Sequence, residues 1–121
     1  TQHSSLYPTY LTKDFLSTLL KSRAKKIFIS NIGADYETPF YNASDYVLGA
    51  IKYLNKYSTM KNKKIFDIAF FNKPLKTNKN YVTLDYENIK KLNVKYIIDN
   101  FEDNKKNGHH DANKIFQYLK I

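Results

Sequence analysis

Apolar positions along the chain change period several times, and each change predicts an element. In SLYPTYLTKDFLSTLLKS, Leu11, Phe15, Leu16, Leu19 and Leu20 recur at three- and four-residue intervals. That spacing predicts a helix ending near Arg23. Thr12 is placed to cap it, since its hydroxyl can accept from the free N–H groups of the first turn. Asp14 suits the positive end of the helix dipole. KKIFIS then reads as a short strand. Residues 31–42 are irregular, with Gly33 and Pro39 as breakers. Residues 43–57 read as a helix with Val47, Leu48, Ile51 and Leu54 on one side. Lys61 to Lys64 form a solvated charge run. IFDIAFF is a second strand, and its nearly continuous apolar character fits burial on both faces. The polar loop NKPLKTNKN leads to YVTL, expected as a short edge strand. Asp85 is expected to cap the short helix YENIKKL, and VKYIID is a third strand. After the loop EDNKKNGHH, DANKIFQYLKI is expected as a closing helix with Asp111 at its N-cap.

Strands alternating with helices imply an α/β domain with right-handed crossovers and a parallel sheet. At 121 residues the chain is expected to form one such domain over its whole length. Ligands of parallel sheets collect outside the carboxyl ends of the strands. That rule directs attention to residues 31–42, 72–80 and 99–110.

Composition narrows the function classes. There is no cysteine, which removes disulfides and thiolate metal sites. No apolar run approaches the roughly 20 residues that span a bilayer. TQHSS lacks the charged start and apolar middle of a signal peptide, so a cytoplasmic location is expected. The chain lacks an initiator Met, and an incomplete fragment of a longer protein is expected. The formal charge is +9, yet nineteen of the twenty cations are Lys, spread along the chain, and only Arg23 is Arg. Readers of nucleic acid enlist the planar fork of Arg, so no specific nucleic-acid partner is expected, and no membrane partner.

The polar residues of YETPFYNASDYV stand where a strand hands over to a helix. Asn42 and Ser44 can donate to phosphate or sugar oxygens at that helix start. Asp45, and likewise Glu37, suits a cation or a ribose hydroxyl. The competing reading is internal: Asn42 or Ser44 caps the helix and Asp45 stabilises its first turn. Asn31 and Asn72 each follow a strand directly, and each either faces a cleft or closes a turn. His109, His110 and Asp111 are adjacent, a poor arrangement for one metal ion, and a cap or a ligand-edge contact fits them better. No nucleophile elbow, phosphate-binding P-loop or dinucleotide fingerprint is present.

Four stretches in order resemble the C-terminal half of the 2-phospho-lactate transferase and gluconeogenesis factor family, the CofD-like proteins. They are SSLYPTYLTKDFL, KKIFISNIGADYETPFYNASDYV, IFDIAFFNKP and GHHDANKIFQYL, and together they run through nearly all of the chain. In the second, Glu37, Thr38, Tyr41, Ala43, Ser44, Asp45 and Val47 fall in register with the family pattern. The resemblance implies a Rossmann-like parallel sheet with flanking helices and a nucleoside diphosphate ligand. One branch transfers a phospholactyl group from a guanosine diphosphate carrier with a divalent cation, here expected to be Mg2+. The other branch binds a uridine diphosphate sugar and regulates without catalysis. Carried over, Ser4 and Ser5 occupy a phosphate turn, with Ser5 and Ser44 contacting phosphate. Asn31 faces the substrate, and Glu37, Thr38 and Asn42 belong to the ligand loop. Asp45 is the expected catalytic and metal-holding carboxylate, and His110 with Asp111 closes the motif. The chain departs from the family at Ser4, Tyr36, Pro39, Phe40 and Tyr46. Ser4, in place of a glycine, holds the backbone farther from a phosphate, while Pro39 and Phe40 remove a carboxylate suited to a metal, so Pro39, Phe40 and Tyr46 weigh on catalysis. The family's glycine-rich first turn has no counterpart here. A sheet without that half would expose an edge strand and an apolar face, and a homodimer is expected.

Overall fold

The computed structural model describes residues 2–58 and 64–120. Among them a parallel three-stranded sheet forms in the order β1 (Ile27–Ile29), β2 (Ile68–Asn72), β3 (Lys95–Asp99). Ile27 pairs with Ile68, and Ile68 pairs with Lys95. The alternating α/β reading with a parallel sheet is what the structure displays. Strand β2 is central, and all five of its residues are buried, as its unbroken apolar run dictates.

Side chains of β2 alternate between two cores. Ala69 and Phe71 join Phe28, Val47, Ala50, Leu54 and Ile89 on one face. That face is covered by α3 (Ala43–Leu54) and α4 (Tyr86–Lys90), with α1 (Tyr7–Tyr10) and α2 (Phe15–Lys21) beyond. Ile68 and Phe70 meet Phe101 and Ile115 on the other face, where α5 (Ala112–Leu119) packs. This second layer is thin, and Ile29 stays 43% exposed.

Several expectations are corrected. The predicted first helix is a π-helical turn (Gln2–Leu6) followed by α1 and α2. Pro8 lies in the first turn of α1, and Asp14 adopts a left-handed φ of 65°, which separates the two helices. Thr12 therefore caps nothing: its hydroxyl turns back to the Pro8 carbonyl at 3.2 Å, and Asp14 holds the N-cap position. YVTL is no strand; only Tyr81 pairs, as an isolated antiparallel bridge with Gly33. Helix α3 stops at Leu54, and Leu48 is 50% exposed rather than on its buried side. Asp85 does precede α4, but its carboxylate makes no cap bond to that helix. Of the predicted charge run, residues 61–63 lie outside the described residues, as does Ile121 of the closing helix.

The N-terminal segment docks on α3 through close aromatic contact. Tyr7 stacks on Tyr53 with ring centroids 3.9 Å apart, and its hydroxyl bonds Tyr41 at 3.2 Å. The Tyr7 hydroxyl fits only because position 49 is glycine: a Cβ there would sit 2.1 Å from it.

Candidate functional site at the carboxyl edge of the sheet

Three loops leave the carboxyl ends of β1, β2 and β3, and backbone pairing ties them together. Ala34 N–H donates to the Asn80 carbonyl at 2.7 Å, and Val82 N–H donates to the Ile32 carbonyl at 2.9 Å. The Tyr81 hydroxyl donates to Glu102 Oε2, which also accepts Gly108 N–H at 2.7 Å. The Glu102 bond raises the Tyr81 phenol above its ordinary value. His110 Nε2 lies 3.0 Å from the Ser30 carbonyl. A carbonyl only accepts, so this nitrogen carries the proton. From α5, Lys114 Nζ donates to Asn100 Oδ1, the Glu102 carbonyl and Asn104 Oδ1 at 2.9, 2.6 and 3.3 Å.

The first and third loops border a shallow, open cleft of about 390 Å³ lined by Asn31, Gly33, Asp35, Tyr36, Gly108 and His110. Desolvation of the imidazole lowers the His110 pKa below 6.5; the Ser30 carbonyl opposes this and neighbouring His109 adds to it. The residue is exposed as a whole, while its Nε2 edge lies against the strand end.

The N-terminal segment packs against the first loop. Ser4 N–H and Oγ both reach Glu37 Oε2 at 3.3 Å. Gln2 N–H approaches Asp35 Oδ2 at 3.4 Å, and Asp35 Oδ1 accepts Glu37 N–H at 3.0 Å. Gln2 Nε2 donates to the Tyr46 carbonyl at 2.9 Å. Ser5 is exposed, and its carbonyl accepts the Thr9 hydroxyl at 3.4 Å. Among the described residues, two buried oxygens, Gln2 Oε1 and Ser30 Oγ, have no hydrogen-bond partner.

The start of α3 directs its donors inward. Ala43 N–H donates to the Thr83 carbonyl at 2.9 Å, and Asp45 N–H to the Asn42 carbonyl at 3.0 Å. Ser44 N–H donates to Asp85 Oδ1 at 2.9 Å, and its hydroxyl donates to Asp85 Oδ2. Asn42 and Asp45 form a capping box, with Asn42 N–H on Asp45 Oδ2 at 2.8 Å. Thr38 Oγ1 pairs with the Tyr46 hydroxyl at 3.2 Å, and both residues are buried. The structure thus places Thr38, Asn42, Ser44 and Asp45 in internal hydrogen bonds, beside the cleft rather than in its lining. Asn31 and His110 line the cleft, whereas Ser4 and Glu37 bond each other outside its lining.

Two further positions resolve. Asn72 faces no cleft: its buried Oδ1 accepts Phe101 N–H at 2.8 Å, tying the end of β2 to the segment after β3. Asp111 caps α5, accepting Asn113 N–H at 2.9 Å. Among the described residues no group of three or more His, Asp or Glu gathers as a metal cage. With Asp45 Oδ2 engaged in the cap, these residues alone do not fit a Mg2+ site. Asp35 and Glu102 escaped the sequence reading, while Asp85 was read only as a helix cap and Tyr36 only as a departure from the family pattern. Asp35 had a local signal, an Asx turn two residues before Glu37.

No protein-family model matches this chain. No curated protein matches it either. A solved structure of a UPF0052 family member from Bacillus halodurans superposes with a TM-score of 0.72 at 22% identity. The match covers 94% of this chain and 38% of the neighbour, so the chain spans well under half of that protein. The likeness establishes a shared fold. No helix among the described residues is long and apolar enough to cross a membrane.

Proposed function

We propose that the chain is part of a CofD-like protein and binds a nucleoside diphosphate at the carboxyl edge of its sheet. One observation carries this reading: the first and third loops bring Asn31, Asp35, Tyr36 and His110 around a single cleft at the carboxyl edge of the sheet. The fold shared with a UPF0052 protein supports it, since that family includes the CofD-like proteins. Within this chain the chemistry is positioning. Asn31 offers both a donor and an acceptor, and His110 presents a ring fixed by the Ser30 carbonyl. A transferase reaction would draw on electrostatic stabilisation of the diphosphate.

A second reading is a regulator that binds a nucleoside diphosphate sugar without turnover. Tyr46, which stands in place of the family's His, favours it: the Tyr46 hydroxyl is buried against Thr38 and unavailable for proton transfer. A thermal-shift titration with guanosine and uridine diphosphates, with and without Mg2+, tests both readings. Ligand at a hundredfold excess over Kd adds about 2.7 kcal/mol to stability. No shift with any of them sinks the proposal, and turnover of a phospholactyl donor sinks the regulator. A homodimer is part of the proposal, because β1 and β3 each pair on one side only among the described residues. Sedimentation at micromolar concentration checks it, and a monomer removes it.

A further inference from the structure

The cleft lined by Asn31, Asp35, Tyr36 and His110 has the wrong chemistry for a phosphate. Asp35 is 7% exposed and lines it. Its two carboxylate oxygens face the N–H groups of Gln2 and Glu37. A phosphate seated there would meet this carboxylate at short range. The helix donors that attract phosphate elsewhere are spent here, on Thr83, Asp85 and Asn42.

What the cleft offers is flat surface. Tyr36 comes from the first loop and is 85% exposed, an aromatic face that the fold itself does not bury. His110 comes from the third loop and is held by its Nε2 edge. Gly33 and Gly108 line the space between the loops, and a Cβ at either would meet nothing within 4 Å. Asn31 adds an amide with paired donor and acceptor, the pattern that reads a base edge. The cleft volume, about 390 Å³, lies within the range of small-ligand sites.

We infer that this cleft is a subsite for a planar heteroaromatic ring, stacked on Tyr36 with its edge toward Asn31. The inference rests on the nucleoside-diphosphate reading and assigns the base, rather than the phosphates, to this chain. Stacking on an exposed aromatic is tolerant of base identity, so Tyr36 supplies affinity and Asn31 supplies preference.

The chain's three glycines provide the test, because Gly33 and Gly108 line the cleft while Gly49 is buried in α3. Their amide signals are followed by nitrogen-15 NMR during titration with unphosphorylated guanosine or uridine, and separately with inorganic pyrophosphate. The nucleosides are expected to move Gly33 and Gly108 but not Gly49, and pyrophosphate is expected to move neither. Tyr36→Ala should weaken nucleoside binding about tenfold or more, and Tyr36→Phe should keep it. Movement with pyrophosphate alone, no movement with nucleosides, or unchanged affinity in Tyr36→Ala overturns the inference. If a nucleoside diphosphate binds while Gly33 and Gly108 stay still, only the placement of the ring fails. If neither nucleoside nor nucleoside diphosphate binds, the functional reading fails with it.

Discussion

Ser44 was a candidate phosphate donor by sequence, and the structure turns it toward Asp85. The consequence is measurable. Ser44 is 1% exposed, and its N–H and hydroxyl both go to the Asp85 carboxylate, which also accepts Asn88 Nδ2 at 3.2 Å. Ser44→Ala removes one charge-assisted bond and leaves the N–H bond in place. Such bonds are worth roughly 1.5–3 kcal/mol, and a loss of about 2 kcal/mol is expected. Asp85→Ala leaves the buried Ser44 N–H and hydroxyl without an acceptor, each at roughly 1–3 kcal/mol. A loss of about 3–4 kcal/mol follows. In the double variant the stranded hydroxyl is gone and only the Ser44 N–H lacks its acceptor, so the cost should fall below that of Asp85→Ala alone, to about 2 kcal/mol. The cycle should then show a coupling of about 3–4 kcal/mol, well above the additivity error of roughly 0.5 kcal/mol. Urea unfolding followed by circular dichroism measures all four proteins. Additive losses would refute the reasoning. So would a Ser44→Ala variant of unchanged stability that binds nucleotide tenfold more weakly, since that hydroxyl would face the ligand.

Three further outcomes follow from single positions. Gly49→Ala places a Cβ 2.1 Å from the Tyr7 hydroxyl, and overpacking of roughly 1–3 kcal/mol should exceed the helix gain of about 1 kcal/mol; unfolding would show a net loss, and proteolysis should nick the N-terminal segment faster. Ser30→Ala removes a buried hydroxyl that has no partner among the described residues, and should raise stability by up to about 1 kcal/mol; a loss greater than about 0.5 kcal/mol would reveal a hidden partner. His110 has a folded-state pKa below 6.5, first through desolvation, so below pH 6.5 the unfolded chain takes up the proton first. Its contribution is therefore present above pH 6.5 and fades as the pH falls toward the folded pKa. His110→Gln should flatten that part of the stability profile, and proton NMR should place the His110 midpoint below 6.5.

The sheet was legible because β2 is apolar at nearly every position and such a run has few alternatives to a doubly covered strand. The loops flanking it followed from the rule for carboxyl ends. Local spacing could not show the break at Asp14, because a left-handed residue within a leucine pattern leaves the 3.6-residue period intact. The reading of YVTL as a strand failed because its apolar residues serve the core under the loop, with Val82 8% exposed, while Tyr81 alone pairs. At the site, the alternatives at Asn42 and Asp45 were both visible in sequence, and the capping box decides between them geometrically. The Ser44–Asp85 link spans 41 residues, and no local pattern encodes a contact of that separation. Tyr36 looked like a mere departure from a family pattern until its exposure and its place in the cleft were known.

The central claim is that ligand sits at the carboxyl edge, between the first and third loops. Hydrogen–deuterium exchange with and without saturating nucleoside diphosphate tests it most directly. Slower exchange should appear in residues 31–42 and 100–111, with α2 and α5 unchanged. Protection confined to the separate groove lined by Tyr10, Leu16, Leu20, Leu54 and Tyr57, or no protection at all, would contradict the account.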